Sequence, residues 1–241
     1  MNLGVIPGRL NSTRFPKKII YPLNGKSVIQ HVYDNAKESK LLNHLVIAID
    51  SMETLSHLNK NCETVLTSQG HESGTDRVAE VAEKINCNII VNIQGDEPNI
   101  DASIIDNLIR LFDDTNVEMA SVASTDLNEK DFDNPNVVKV SLDKENNAKT
   151  FERSSNNKDA KYFRHIGIYA YRKKTLEKFT NLEQSENERK FKLEQLRALD
   201  NNIEIKRSNL RANINVNLSK TTEIAVKYRN RVYFCNVNKI Y

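Results

Sequence analysis

Ile89-Ile90-Val91-Asn92-Ile93-Gln94-Gly95-Asp96-Glu97-Pro98 is the stretch that decides the fold. Apolar β-branched residues fill 89–91 and 93, and a glycine, two carboxylates and a proline then stop the run. A short continuous apolar run with such an ending reads as a strand buried on both faces, the kind found in parallel sheets. Working outward, the same punctuation recurs. Leu3–Ile6 ends in Pro7-Gly8, Leu45–Ile49 is stopped by Asp50, and Thr64–Leu66 is a shorter run. Between these, Ser27–Lys37 carries Val28, Ile29, Val32 and Ala36 at helical spacing, and Asp76–Ile85 and Ile104–Phe112 read as further helices. Strands alternating with helices predict an α/β fold, a mostly parallel sheet flanked by helices.

Beyond residue 137 the pattern changes. Val137–Val140 and His165–Tyr171 read as strands, Lys190–Leu199 as one helix, and the polar span Asp143–Lys161 as a loop. The expectation is one domain over 1–241, with a β-rich insertion within about 137–200.

Composition removes several function classes. The charge is +3, from 35 basic and 32 acidic side chains among 241 residues, too even for a protein that coats nucleic acid. Hydrophobic residues make up 39% of the chain, enough for a sizeable core. No apolar run approaches the ~18 residues of a membrane helix. The first twenty residues carry Arg9, Arg14, Lys17 and Lys18 instead of a signal-peptide core, so no membrane span and a cytoplasmic location are expected. Cys62, Cys87 and Cys235 are too widely spaced for a CxxC metal pair and read as reduced thiols. Glycine is scarce, 7 residues in 241, so each one carries weight.

Ligands of open parallel sheets gather outside the carboxyl ends of the strands. The loop after the first strand, Pro7-Gly8-Arg9-Leu10-Asn11-Ser12-Thr13-Arg14-Phe15-Pro16-Lys17-Lys18, places four cations and two hydroxyls where a polyphosphate could be held by charge-assisted hydrogen bonds. A solvated basic loop is the plainer alternative. Asp96, at the end of the Ile89–Ile93 strand, suits a Mg2+ ligand bridging to phosphates, or equally a turn residue. Ser73-Gly74-Thr75-Asp76-Arg77 offers an anion-binding helix start, or simply a cap. Gly25-Lys26-Ser27 mimics the end of a P-loop, but Ile20 stands where that motif needs glycine, so it reads as a turn and helix start.

Five motifs in order carry a resemblance: Pro7-Gly8-Arg9 with Ser12-Thr13-Arg14, Pro16 and Lys18; Ser73–Arg77; Gln94–Pro98; His165-Ile166-Gly167-Ile168-Tyr169; and Lys192-Leu193-Glu194-Gln195-Leu196-Arg197-Ala198-Leu199. Together they resemble the sugar-acid cytidylyltransferases, most closely the branch acting on 3-deoxy-manno-octulosonate (Kdo) in lipopolysaccharide assembly. The likeness spans roughly 3–205. It implies a nucleotidyltransferase-type fold and attack of the Kdo anomeric hydroxyl on the α-phosphorus of CTP, giving CMP-Kdo and pyrophosphate. The same resemblance implies Mg2+ as cofactor, CTP and Kdo as partners, no nucleic acid, and a homodimer. By analogy, Arg9, Lys18 and Asp96 are catalytic, and Gly8, Arg9, Ser12, Arg14, Lys18, Ser73, Arg77 and Gln94 bind nucleotide. Gln94, Arg153, His165, Tyr169, Glu194 and Gln195 would bind the sugar, with Arg153 facing its carboxylate, and Asp96 would hold the metal. His165 and Tyr169, four apart on a strand, would share a face.

Three departures from the family pattern stand out. Lys17 occupies a position usually held by glycine, and His165 follows only twelve positions after Arg153, shortening a proline-rich loop. In Asn215-Val216-Asn217-Leu218-Ser219, Asn217 replaces the second metal carboxylate. Beside the Kdo reading, these departures keep open an enzyme for a related acid sugar of amino-Kdo type, and a weakly catalytic paralogue that binds nucleotide or sugar.

Overall fold

The computed structural model describes residues 1–11, 16–154, 161–210, 223–228 and 231–236. Its main sheet is built from β1 (Asn2–Gly8), β2 (His44–Ile49), β3 (Thr64–Leu66), β4 (Ile89–Asn92), β5 (Met119–Ser124), β6 (Lys139–Leu142), β7 (Ala148–Glu152), β8 (Tyr162–Arg172) and β9 (Ile205–Leu210). The strand path is β9-β5-β8-β4-β1-β2-β3, with β6 paired to β8 and β7 to β6. β1 pairs in parallel with β2 and β4, and β9 with β5, while β8 runs antiparallel to both β4 and β5. The expected α/β class and mostly parallel sheet are present. A separate antiparallel pair, Glu223–Tyr228 with Arg231–Asn236, follows in the chain.

Helices α1 (Val28–Ala36) and α3 (Ala102–Arg110) cover one face, where Ile29, Val32, Ile104 and Leu108 pack on Ile6, Ile47 and Val91. Helices α2 (Gly74–Lys84) and, after the short α4 (Glu129–Phe132), α5 (Lys173–Thr180) cover the other, through Val78, Val81, Leu176 and Phe179 against Leu3, Val5 and Ile90. Alternate residues of each strand thus feed two cores, which is why these runs are apolar without a polar phase. Gly25 has φ +84° and Ser27 caps α1 by accepting from the Gln30 amide, so the P-loop mimic is a turn and helix start.

Two expectations are corrected. The single helix over 190–199 is two short ones, α6 (Glu186–Phe191) and α7 (Gln195–Asp200), because Lys192 adopts a left-handed backbone, φ 54°. Over residues 143–152 the polar span is a hairpin turn and a strand rather than a loop. Asp143 Oδ1 accepts the amides of Glu145 and Asn147 at 2.9 and 2.8 Å, and β7 follows with Phe151 buried. The sequence gives no strand signal for β5, because its six buried residues, Met-Ala-Ser-Val-Ala-Ser, are mostly small.

Candidate active site

Register sets the first half of the site. Val5 lies opposite Asn92, so β1 runs on past the end of β4 and the turn at Gln94-Gly95-Asp96 lies against its last residues. A Cβ at Gly95 would lie 2.5 Å from the Pro7 carbonyl oxygen, and only glycine permits that approach. Glu97 N–H donates to the Gln94 carbonyl at 3.2 Å and closes the turn. The result brings Asp96 to Lys18: the buried ammonium donates to Asp96 Oδ2, whose side chain remains about a third exposed. Lys18 opens a single 3-10 turn, Lys18–Ile20, pinned by buried Ile19 and Ile20.

The basic loop has an anchor behind it. Leu10 N–H donates to Asp50 Oδ1 at 2.9 Å, and Lys17 N–H to the Leu10 carbonyl at 3.1 Å. Asp50 in turn faces Arg77 Nη2 at 3.6 Å. Arg77 is fully buried and also donates to Thr67 Oγ1 and to the Ser68 carbonyl at 3.0 Å. Arg77 thus stands behind the loop, joined to it through Asp50, while Arg9 is exposed in front. A Cβ at Gly8 would reach within 2.7 Å of Ile29 Cδ1, which seats the loop on α1. Ser12, Arg14 and Asn217 lie outside the described residues.

β8 supplies the other half. Its antiparallel sense carries its first residues to the carboxyl ends of β4 and β5, and a Cβ at Gly167 would lie 3.9 Å from Gln94 Cγ. Pairing shifts between Ile166 and Tyr169, where Ser121 Oγ donates to the Ile168 carbonyl at 3.0 Å and meets His165 Nε2 at 2.8 Å. Ser121 has one proton; with it on the carbonyl, the imidazole donates from Nε2 and keeps Nδ1 as an acceptor. Burial pushes the His165 pKa down to about 3, so the ring is neutral at physiological pH. His165 and Tyr169 do share a face, with ring centroids 5.5 Å apart, and Phe151 meets His165 edge-on at 4.9 Å.

Glu194, at the start of α7, is held from the opposite wall. Thr75 Oγ1 donates to Glu194 Oε2 at 2.7 Å, while Glu194 Oε1 is buried without a hydrogen-bond partner. Arg197 Nη2 lies 4.0 Å from Oε1, its other contacts being a two-pronged pair with buried Glu188 at 2.7 and 2.8 Å. Burial raises the Glu194 carboxyl above its usual range, opposed by the Thr75 and Ser73 hydroxyls and by Arg197. Ser73 caps α2, accepting from the Asp76 amide at 3.1 Å, and lines a polar groove of about 340 Å3 with Asp76 and Arg197. Gln195 is buried beside Glu194.

Arg153 is not brought to this group. Its guanidinium donates to the carbonyls of Pro135, Phe191 and Lys192 at 3.0, 3.1 and 2.9 Å, tying the end of β7 to the end of α6. Sequence reasoning did not single out Thr75, Asn92, Ser121 or Tyr171. Asn92 carried a visible signal, a lone amide inside an apolar strand.

Among the described residues no three His, Cys, Asp or Glu side chains form a ready-made cation cluster. Asp96 fits a metal that arrives with its ligand, since Mg2+ is commonly held by one or two carboxylates plus substrate phosphates. No helix among the described residues is long and apolar enough to cross a membrane.

The family profile described as "Cytidylyltransferase" matches residues 3–205. A 3-deoxy-manno-octulosonate cytidylyltransferase of Leptospira biflexa is 45% identical, with 83% of this chain and 84% of the relative covered. One from Koribacter versatilis is 40% identical over 84% of this chain and 80% of its own. Among solved structures, a CMP:2-keto-3-deoxy-manno-octonic acid synthetase complexed with CTP superposes with a TM-score of 0.80 at 33% identity, covering 86% of this chain and 88% of its own. A putative glucose-1-phosphate thymidylyltransferase from Bacillus anthracis, 15% identical with a TM-score of 0.62, shares the fold over 88% of this chain and 87% of its own. With the strand-end carboxylate, the basic loop and the matched span in agreement, the chain belongs to the cytidylyltransferase family, in the branch of the 3-deoxy-manno-octulosonate cytidylyltransferases.

Proposed function

We propose that the chain transfers CMP from CTP to the anomeric hydroxyl of Kdo, releasing pyrophosphate. The observation that carries this reading is the meeting of Lys18 with Asp96 from motifs 78 residues apart, at the mouth of a basic loop. In the reaction the sugar oxygen bonds to the α-phosphorus, the bond to the β-phosphate oxygen breaks, and the hydroxyl proton is released. No enzyme nucleophile is needed, so rate comes from positioning and from neutralising phosphate charge. Lys18 and Arg9, with Arg14 by the family pattern, would bind the triphosphate, and Asp96 would hold Mg2+. The chemistry such an ion would supply there is neutralisation of phosphate charge. Gln94, neutral His165, Tyr169, Gln195 and the bare oxygen of Glu194 form the acceptor side. Glu194 Oε1 is a buried acceptor without a donor, which a sugar hydroxyl supplies.

Both named relatives are 3-deoxy-manno-octulosonate cytidylyltransferases, which favours this reading over an amino-sugar enzyme or a non-catalytic binder. A place in lipopolysaccharide assembly, a cytoplasmic location and a homodimer built through residues 137–200 belong to the same proposal. Pyrophosphate release from CTP, Mg2+ and Kdo tests it. Turnover with Kdo that is lost in Lys18→Met and Asp96→Asn supports it. Turnover only with an amino analogue moves the assignment to that sugar, and CTP binding with no turnover on any sugar acid replaces it with the binding role. Light scattering on the same sample reads the oligomeric state.

A further inference from the structure

The Thr75 side chain sits at a crossing of three elements and is buried, as are its neighbours Asn92 and Tyr171. Its hydroxyl proton goes to Glu194 Oε2 at 2.7 Å. Its oxygen accepts Asn92 Nδ2 at 3.3 Å and is also hydrogen-bonded to the Tyr171 hydroxyl. With the single proton already directed at the carboxylate, Tyr171 is the donor in that last bond. One donor is thus aimed by two others, one from the last residue of β4 and one from the C-terminal end of β8. The carboxylate ends with one oxygen fixed and the other buried without a hydrogen-bond partner. Nothing in the folding of α2 requires this, since its cap is completed by Ser73 and Asp76 alone.

We propose that Thr75, backed by Asn92 and Tyr171, is a positioning residue that fixes Glu194 so that its second oxygen receives a hydroxyl of the acceptor sugar. The proposal rests on the acceptor-side reading given above. The groups facing Glu194 are Thr75, Ser73 and Asp76 from α2 and its cap, Arg197 from α7, and Tyr171 from β8. Burial already pushes this carboxyl upward, and the Thr75 hydroxyl opposes that push. Removing the hydroxyl therefore raises the proportion of protonated Glu194 at a given pH, and a protonated acid is a poorer acceptor.

The experiment compares wild type, Thr75→Val, Thr75→Ser and the milder Tyr171→Phe in the full chain, with initial rates varied separately in Kdo and in CTP. In parallel, 13C NMR of labelled glutamate follows the Glu194 titration without any substrate. Thr75→Val should raise the Kdo KM about tenfold, the worth of one hydrogen bond to a charged group, and leave the CTP KM in place. The defect should deepen as pH falls, Thr75→Ser should restore most of the loss, and the Glu194 midpoint should move upward only in Thr75→Val and, less, in Tyr171→Phe. An unmoved Glu194 midpoint, or equal changes in both KM values without rescue by serine, overturns the proposal. If Thr75→Val fails to fold, Tyr171→Phe decides by the same criteria. If wild type turns over no sugar acid while the midpoint still shifts, the positioning of Glu194 stands and the assignment of its occupant falls.

Discussion

The α-carbon of Gly95 lies so close to the Pro7 carbonyl that a methyl group there would sit 2.5 Å from the oxygen. Neither backbone can yield cheaply, because Pro7 is within β1 and the turn follows β4 directly. Gly95→Ala should displace Asp96 from Lys18 and lower kcat/KM about a hundredfold, as expected for a ~1 Å misplacement at a reacting centre. Steady-state kinetics with CTP and Kdo check it; an alanine variant with wild-type kinetics would sink the claim that this contact sets the site.

Lys17 holds φ 58° and ψ 26°, the left-handed region, at a position where the family pattern has glycine. Its ammonium meets Glu53 at 2.6 Å, but both side chains are about half exposed, so that pair is worth little. Lys17→Gly should relieve roughly 1 kcal/mol of backbone strain. In a chain of this size that corresponds to a rise of about 2–4 °C in Tm by calorimetry.

His165 titrates at about 3 in the folded protein against 6.5 for the free side chain. Between those values the unfolded chain binds more protons, so this contribution to stability is complete above pH 6.5 and is lost as pH falls toward 3. Urea midpoints at pH 7.5 and pH 5 should therefore diverge more for wild type than for His165→Gln. Equal slopes for the two proteins would remove His165 as the source.

Arg153 donates to three main-chain carbonyls, and lysine can replace only part of that fork. Arg153→Lys should lower stability by about 1 kcal/mol, the loss of one or two partly exposed hydrogen bonds, with the Kdo KM unmoved. A melt and a substrate titration read the two quantities independently. A large rise in Kdo KM without a change in Tm would assign Arg153 to the sugar carboxylate instead.

Asn217→Asp supplies the carboxylate that the family pattern has at this position. A full negative charge competes better for an ion that dehydrates reluctantly. The Mg2+ concentration giving half-maximal pyrophosphate release should fall; no change at limiting Mg2+ would show that this position does not meet the metal.

What could be read from the sequence follows from how loudly each residue type speaks. The branched runs of β1, β2 and β4 announced themselves, and the turn at Gly95-Asp96 marked the strand end where Lys18 arrives. β5 stayed silent because alanine and serine carry little strand preference, and its burial comes from neighbours on both sides. The break at Lys192 was equally hidden, since lysine gives no sign of a left-handed backbone as glycine would. Arg77 and Arg153 read as ligand-facing cations because charge is visible in a sequence, whereas the carbonyls and hydroxyls they meet are not. Thr75 lay inside a quoted motif, yet its partners Asn92 and Tyr171 come from strands 17 and 96 residues further on.

The reversed direction of β8 brings residues encoded late in the chain, His165 and Tyr169, to the same strand ends as the early loop of Arg9 and Lys18. The described residues proposed for the triphosphate, Arg9 and Lys18 beside Asp96, all precede residue 97, while His165 and Tyr169 of the proposed acceptor side come in on β8, whose first residues pair with β6. Changes in the length of chain between Arg153 and Tyr162 therefore leave the residues encoded before position 97 in register. A lineage can shorten that connection, here to a twelve-position step from Arg153 to His165, without re-registering a single strand before it.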